Sequence, residues 1–178
     1  AFFVYGDQPN LGASPGELLS FFHGDRTRIL IATVIFCFAF LELLWFGAAL
    51  SSVLRDAGLA GWGAAATASS AALRAILFLR MAVLAGLALS IADLVQPQVT
   101  SGLADFAFAL TVISCFPAAM FVMSRAFGLS RAGIISNRFS WVGVTAVVLV
   151  LLGGTTWASD GFWAPDGAYA LISQIVLF

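Results

Sequence analysis

Residues 29–50 form a run of 22 positions interrupted by one charge, Glu42. At 1.5 Å of rise per residue, a helix of that length covers about 33 Å, enough to cross the roughly 30 Å of hydrocarbon in a bilayer. In a water-soluble domain such a run has to be enclosed by more polar chain, and this sequence has little to enclose it with. Of its 178 residues 61% are apolar and 10% charged, and the mean hydropathy is +1.02. Soluble domains carry about 45–50% apolar and about 25% charged residues. A water-soluble globular fold is excluded on this balance, and lipid must be most of the solvent.

Three further runs predict complete spans at about 66–95, 103–127 and 139–158. The second span grows out of a stretch from Trp62 to Val95 that is longer than a perpendicular crossing and carries Arg74 and Arg80, so its register stays open. Gln96-Pro97 ends it, because the residue before proline is driven out of helical angles. Ala82, Gly86 and Ser90, four residues apart, form a small-residue stripe against which another helix can pack. Pro117 lies inside the third span and is expected to kink it by removing a backbone donor. The apolar segments 1–5 and 168–178 are too short to cross alone and are expected to be parts of transmembrane helices, giving about six spans in the intact protein, the alternative for the first being the mature end left by a cleaved signal peptide. In the loop between, Ser14-Pro15-Gly16-Glu17 has the S-x-x-E pattern with proline at the first helical position. It predicts a short interfacial helix over about 14–22, the alternative being a loop tucked against the bundle. The fold expected is all-α: a polytopic transmembrane helical bundle forming one domain over 1–178.

Arginine marks the sides. Alternating spans put Arg55, Arg125, Arg131 and Arg138 on one side, whereas the opposite loops pair Arg26 and Arg28 with Asp7, Glu17, Asp25, Asp160 and Asp166. Positive residues mark the cytoplasmic side, so the Arg55 loop and the 125–138 loop are expected in the cytoplasm and the 6–24, 96–102 and 159–167 loops outside, in a bacterial plasma membrane.

Glu42 lies about 12 Å along its helix from the cytoplasmic end of the run, where an isolated charge costs several kcal/mol. It needs a partner or a proton. Arg80 is the expected partner, with Arg74 nearby, through a guanidinium–carboxylate fork. That pair would either fix helix register or serve as a proton or substrate relay. The remaining reading keeps the groups apart, Glu42 protonated and Arg80 snorkelling to the headgroups. On the outer side Asp93 and Asp105 stand where Arg26 and Arg28 can meet them as a polar anchor. Arg125, Arg131 and Arg138 are candidate contacts for anionic lipid headgroups, against the plainer reading that they are the topology signal.

Several function classes lack their chemistry. All eight basic residues are arginines spread along the chain, too dispersed to track phosphates, so nucleic acid is not an expected partner. The phosphate-loop, HExxH and GxSxG patterns are absent, as are paired histidines. Cys37 and Cys115 each sit alone in apolar runs and His23 in a polar loop, so no metal, no cofactor and no catalytic residue is assigned, and an ordinary enzyme is not expected.

At Arg26-Thr27-Arg28-Ile29-Leu30-Ile31-Ala32 through Leu43-Leu44-Trp45-Phe46, at Ala104-Asp105-Phe106-Ala107-Phe108-Ala109-Leu110 and at Trp163-Ala164-Pro165-Asp166-Gly167-Ala168, the chain resembles small actinobacterial multi-pass membrane proteins of uncharacterised function. The resemblance spans most of the chain; it implies a bundle of about six spans and supplies no active site. The leading expectation is a non-catalytic structural or accessory subunit whose partners are membrane lipids and other membrane protein subunits. The alternatives are a transporter or binding bundle for a small molecule, lipid or ion that uses Glu42 and Arg80, and an enzyme subunit whose cofactor is held by another chain.

Overall fold

A computed structural model describes residues 9, 12–91, 97–158 and 161–177. Among them there are helices and no strands. The helices are α1 (Pro15–Gly24), α2 (Arg26–Asp56), α3 (Ala60–Gly86), α4 (Pro97–Arg131), α5 (Asn137–Gly153) and α6 (Ala168–Leu177). α2, α3 and α4 are long and apolar enough to cross a membrane, and α5 is a shorter apolar helix. The protein is therefore an all-α bundle of transmembrane type. Segment 1–5 lies outside the described residues, and α6 occupies the other expected partial span.

α1 is started by the predicted cap. The Glu17 amide donates to the Ser14 hydroxyl oxygen at 3.3 Å, and the Ser14 amide donates to the Glu17 carboxylate at 2.9 Å, with Pro15 at the first position. These bonds satisfy backbone donors that a helix start leaves open. The helix does not lie free: Leu18 and Phe22 are buried in a core shared with Ile29, Ala32 and Phe40 of α2, Met81 and Leu84 of α3, and Ala104 and Ala107 of α4.

α2 and α3 form an antiparallel hairpin. Its turn uses Gly58 at φ 76°, where the Leu59 amide donates to the Leu54 carbonyl and the Gly58 amide to that of Arg55. Only a residue without Cβ takes this left-handed angle without strain, and the two bonds close the last open carbonyls of α2. The same arrangement ends α4 at Gly133, with φ 72°. Along the hairpin Phe40 meets Phe78 edge-on at 5.5 Å, and the Ser70 hydroxyl donates to the Leu43 carbonyl at 3.4 Å.

Of the small-residue row that the sequence offers, Gly86 is half-buried. Ala82 is exposed, and the side chain of Ser90 lies outside the described residues. The buried face of α3 runs instead through Gly63, Ala66, Ser70, Leu73, Met81 and Leu84. Residues exactly four apart drift about 40° per step around a helix, so the 82–86–90 row departs from a seam of shorter average period. α3 ends in a wide π-helical turn, Leu87–Ile91. The expected continuation to 95 enters 92–96, outside the described residues.

α4 carries through Pro117 as one helix of 35 residues and is the central element. Half of its apolar stretch is buried (50%), against 33% for α3 and 17% for α2. Consecutive helices α2 to α6 are neighbours, and α1 folds back onto α4. α5 stops at Gly153 after 17 residues rather than reaching Ala158. At about 25 Å it falls short of the hydrocarbon thickness. Past its end the chain is held by aromatic contacts: the Trp163 indole donates to the Thr155 carbonyl at 2.8 Å and stacks on Tyr169 at 4.5 Å, while the Tyr169 hydroxyl donates to the Leu149 carbonyl at 3.1 Å.

Candidate functional site

The charges inside the bundle stand where the helix faces put them, and that separates Glu42 from Arg80. α2 presents Phe40, Gly47, Leu50 and Leu54 to the rest of the chain. Glu42 is two residues from Phe40, hence about 200° around the helix, and it is exposed on the far face. The antiparallel register decides the depths. Phe40 is opposite Phe78, and a Cβ on Gly47 would meet Ser70, so Glu42 is level with the turn around Arg74, while Arg80 lies nearer the start of α2. No ion pair joins Glu42 to either arginine; the predicted fork does not form.

Arg74 is 3% exposed. Its Nε has no hydrogen-bond partner among the described residues. It points into the protein while Glu42, at nearly the same depth, points out. Opposite charges on opposite faces of a two-helix layer do not neutralise each other by contact.

The outer cluster is described in part. Arg28 reaches Asp25, one turn earlier, at 3.9 Å. Arg26 and Asp105 are exposed, and Asp93 lies outside the described residues. The contact is local because Asp25 closes α1 and opens α2, which sets its carboxylate beside the first turn of the same helix.

At the other end the arginines lie against aromatic rings. The Arg125 guanidinium is 5.8 Å from the Phe46 ring centre and 5.7 Å from that of Phe121, and Arg131 is 5.5 Å from Trp62, itself stacked on Phe127 at 6.0 Å. Arg55 and Arg138 are exposed at this end. Phe121 and Arg125 are four residues apart, a spacing legible in the sequence. Phe46 and Trp62 join only through the packing of α2, α3 and α4.

One polar feature escaped the sequence. Between α4, α5 and α6 lies a small cavity whose lining includes Thr111, Ser114, Cys115, Thr156, Pro165 and Ser173. Ser114 donates to the Thr111 carbonyl at 2.7 Å, Thr156 to Gly153 at 2.8 Å and Ser173 to Ala170 at 2.8 Å. Each hydroxyl proton is thus spent on its own backbone. Thr111, Ser114 and Cys115 share a face of α4, but Thr156 and Ser173 arrive from remote segments.

Cys37 and Cys115 are free thiols, in separate parts of the structure. His23 is exposed in the last turn of α1. No group of three His, Cys, Asp or Glu side chains converges among the described residues. No family model, curated protein or solved structure matches the chain.

Proposed function

We propose that this chain is a non-catalytic accessory or structural subunit that packs against a larger membrane protein assembly. The observation that carries this reading is the position of Glu42: it sits mid-helix, on the outward face of the least covered of the three membrane-length helices. A charge in hydrocarbon needs compensation, and no group among the described residues meets it there, which supports compensation by a neighbour. A transport pathway through Glu42 and Arg80 is less well supported, since it needs the two residues to line one passage.

The same reading sets the chain in a bacterial plasma membrane. Arg55, Arg125, Arg131 and Arg138 belong to the end of the bundle where α2 and α4 finish, which we assign to the cytoplasm. Arg125 and Arg131, braced on aromatic faces, keep guanidinium edges for anionic headgroups.

Native mass measurement of the full chain, taken from its own membranes in lipid nanodiscs, tests the proposal. A fixed stoichiometric assembly containing a second membrane protein is expected; a population of the chain with lipid alone would overturn it.

A further inference from the structure

We infer that the outward face of α2 is the docking surface for a transmembrane helix of a different protein, one that carries an arginine at mid-membrane depth to pair with Glu42. The inference rests on the accessory-subunit reading and names the chemistry of the partner.

The face is well defined. Ile31, Ile35, Phe38, Trp45 and Ala49 flank Glu42 along one stripe, all exposed, with Phe38 at 66% and Trp45 at 79%. Alone, the apolar members would suit lipid; Glu42 does not. It lies 13 residues from Ile29 and eight from Leu50, about 20 Å and about 12 Å along the axis. Helical side chains lean toward the N-terminus, so the carboxylate is directed along the longer of these paths, and two methylenes bridge neither. A protonated carboxyl would still lack a hydrogen-bond partner in hydrocarbon.

Charge complementarity selects the occupant. A second copy docked through the same face would bring one Glu42 toward the other, since a two-fold contact sets like against like. A cation from a different chain removes the cost at both ends. Trp45 selects arginine over lysine: one turn from Glu42, its exposed indole offers a ring on which a planar guanidinium stacks while forking to the carboxylate.

Donor-labelled full-length chain, reconstituted in phosphatidylcholine vesicles with acceptor-labelled leucine–alanine host helices, tests the pairing. The hosts carry one central Arg, Lys, Gln or Leu. Energy transfer is expected to show the Arg host associating about ten-fold more tightly than the Leu host, and more tightly than the Lys or Gln hosts. Glu42→Leu and Glu42→Gln should abolish the preference, Trp45→Leu should bring Arg down to the level of Lys, and Asp105→Asn should leave it intact. Circular dichroism of each variant establishes that the bundle is retained. Equal association of all hosts, a preference that survives Glu42→Leu, or a Gln host as good as the Arg host would each overturn the proposal. So would energy transfer between copies of the chain that Glu42→Leu removes, which would give the face to a second copy. A chain that travels in a native assembly yet shows no host preference sinks this inference alone, whereas a solitary chain in native membranes sinks the accessory reading.

Discussion

At the residue scale, the cost of a charge in this protein is set by which way its helix faces. Arg74 is buried with an unbonded Nε. Breaking a satisfied ion pair destabilises a protein, but here there is none to break, and an apolar side chain of similar length removes a desolvation cost. Arg74→Met is expected to stabilise the bundle by about 1–4 kcal/mol, measured as reversible unfolding in mixed micelles; a loss of stability would reveal a compensating contact. Glu17 gives a second residue-level test. Hydrogen bonds from the Ser14 amide, and then from its hydroxyl, hold the carboxyl below its ordinary range. A carboxyl whose folded value is lowered contributes stability in full above its unfolded value and loses it as pH falls through the folded value. The protection of the Leu18 amide, its exchange rate taken relative to the intrinsic rate at each pH, should therefore fall on acidification across that window, and Glu17→Gln should flatten the profile.

At the element scale, two glycines three residues apart make opposite predictions. Gly58 sits at φ 76° with open space around its Cα, so Gly58→Ala meets no neighbour but forces a left-handed alanine. The expected cost is about 1–2 kcal/mol. Gly61 lies in the first turn of α3, also in open space, and Gly61→Ala should stabilise by about 0.5–1 kcal/mol. Unfolding midpoints of the two variants under identical micelle conditions check the signs. The elements were legible in unequal measure. The α1 cap was readable because Ser14 and Glu17 meet within one turn, and the core of the first span was readable from its length. The stop of α5 at Gly153 was not: Val, Leu and Thr around it are apolar enough for a longer span, and the chain leaves the helix where Gly153 lies close against Ser173 of α6 and Gly154 against Phe116 of α4.

For the whole molecule, the arrangement of arginines predicts how the bundle sits. With Cys37 and Cys115 replaced by alanine, Ser136→Cys should react with a membrane-impermeant maleimide only after the membrane is opened, and Gly16→Cys should react in intact cells. The reverse pattern would invert the assigned orientation. In the candidate polar site Glu42 and Arg80 do not meet, because their helix faces and depths differ. Glu42 and Arg74 stand out in any hydropathy reading, but depth along a helix was estimated from the edges of apolar runs. The true register comes from Phe40 on Phe78 and from the close approach at Gly47 and Ser70.

The sequence by itself determined that this is an all-helical, membrane-type bundle, because the length and polarity of a run decide its solvent without reference to anything remote. Only the tertiary structure decided which face of each helix the chain keeps for itself. α2 turns Phe40 inward and Glu42 outward, α3 turns Arg74 inward, and a one-dimensional record of apolar and polar residues is nearly blind to that choice when lipid and protein interior are equally apolar. In water the hydrophobic pattern would mark the inner face; in a bilayer close packing of small residues and rings marks it, and packing exists only between helices already brought together.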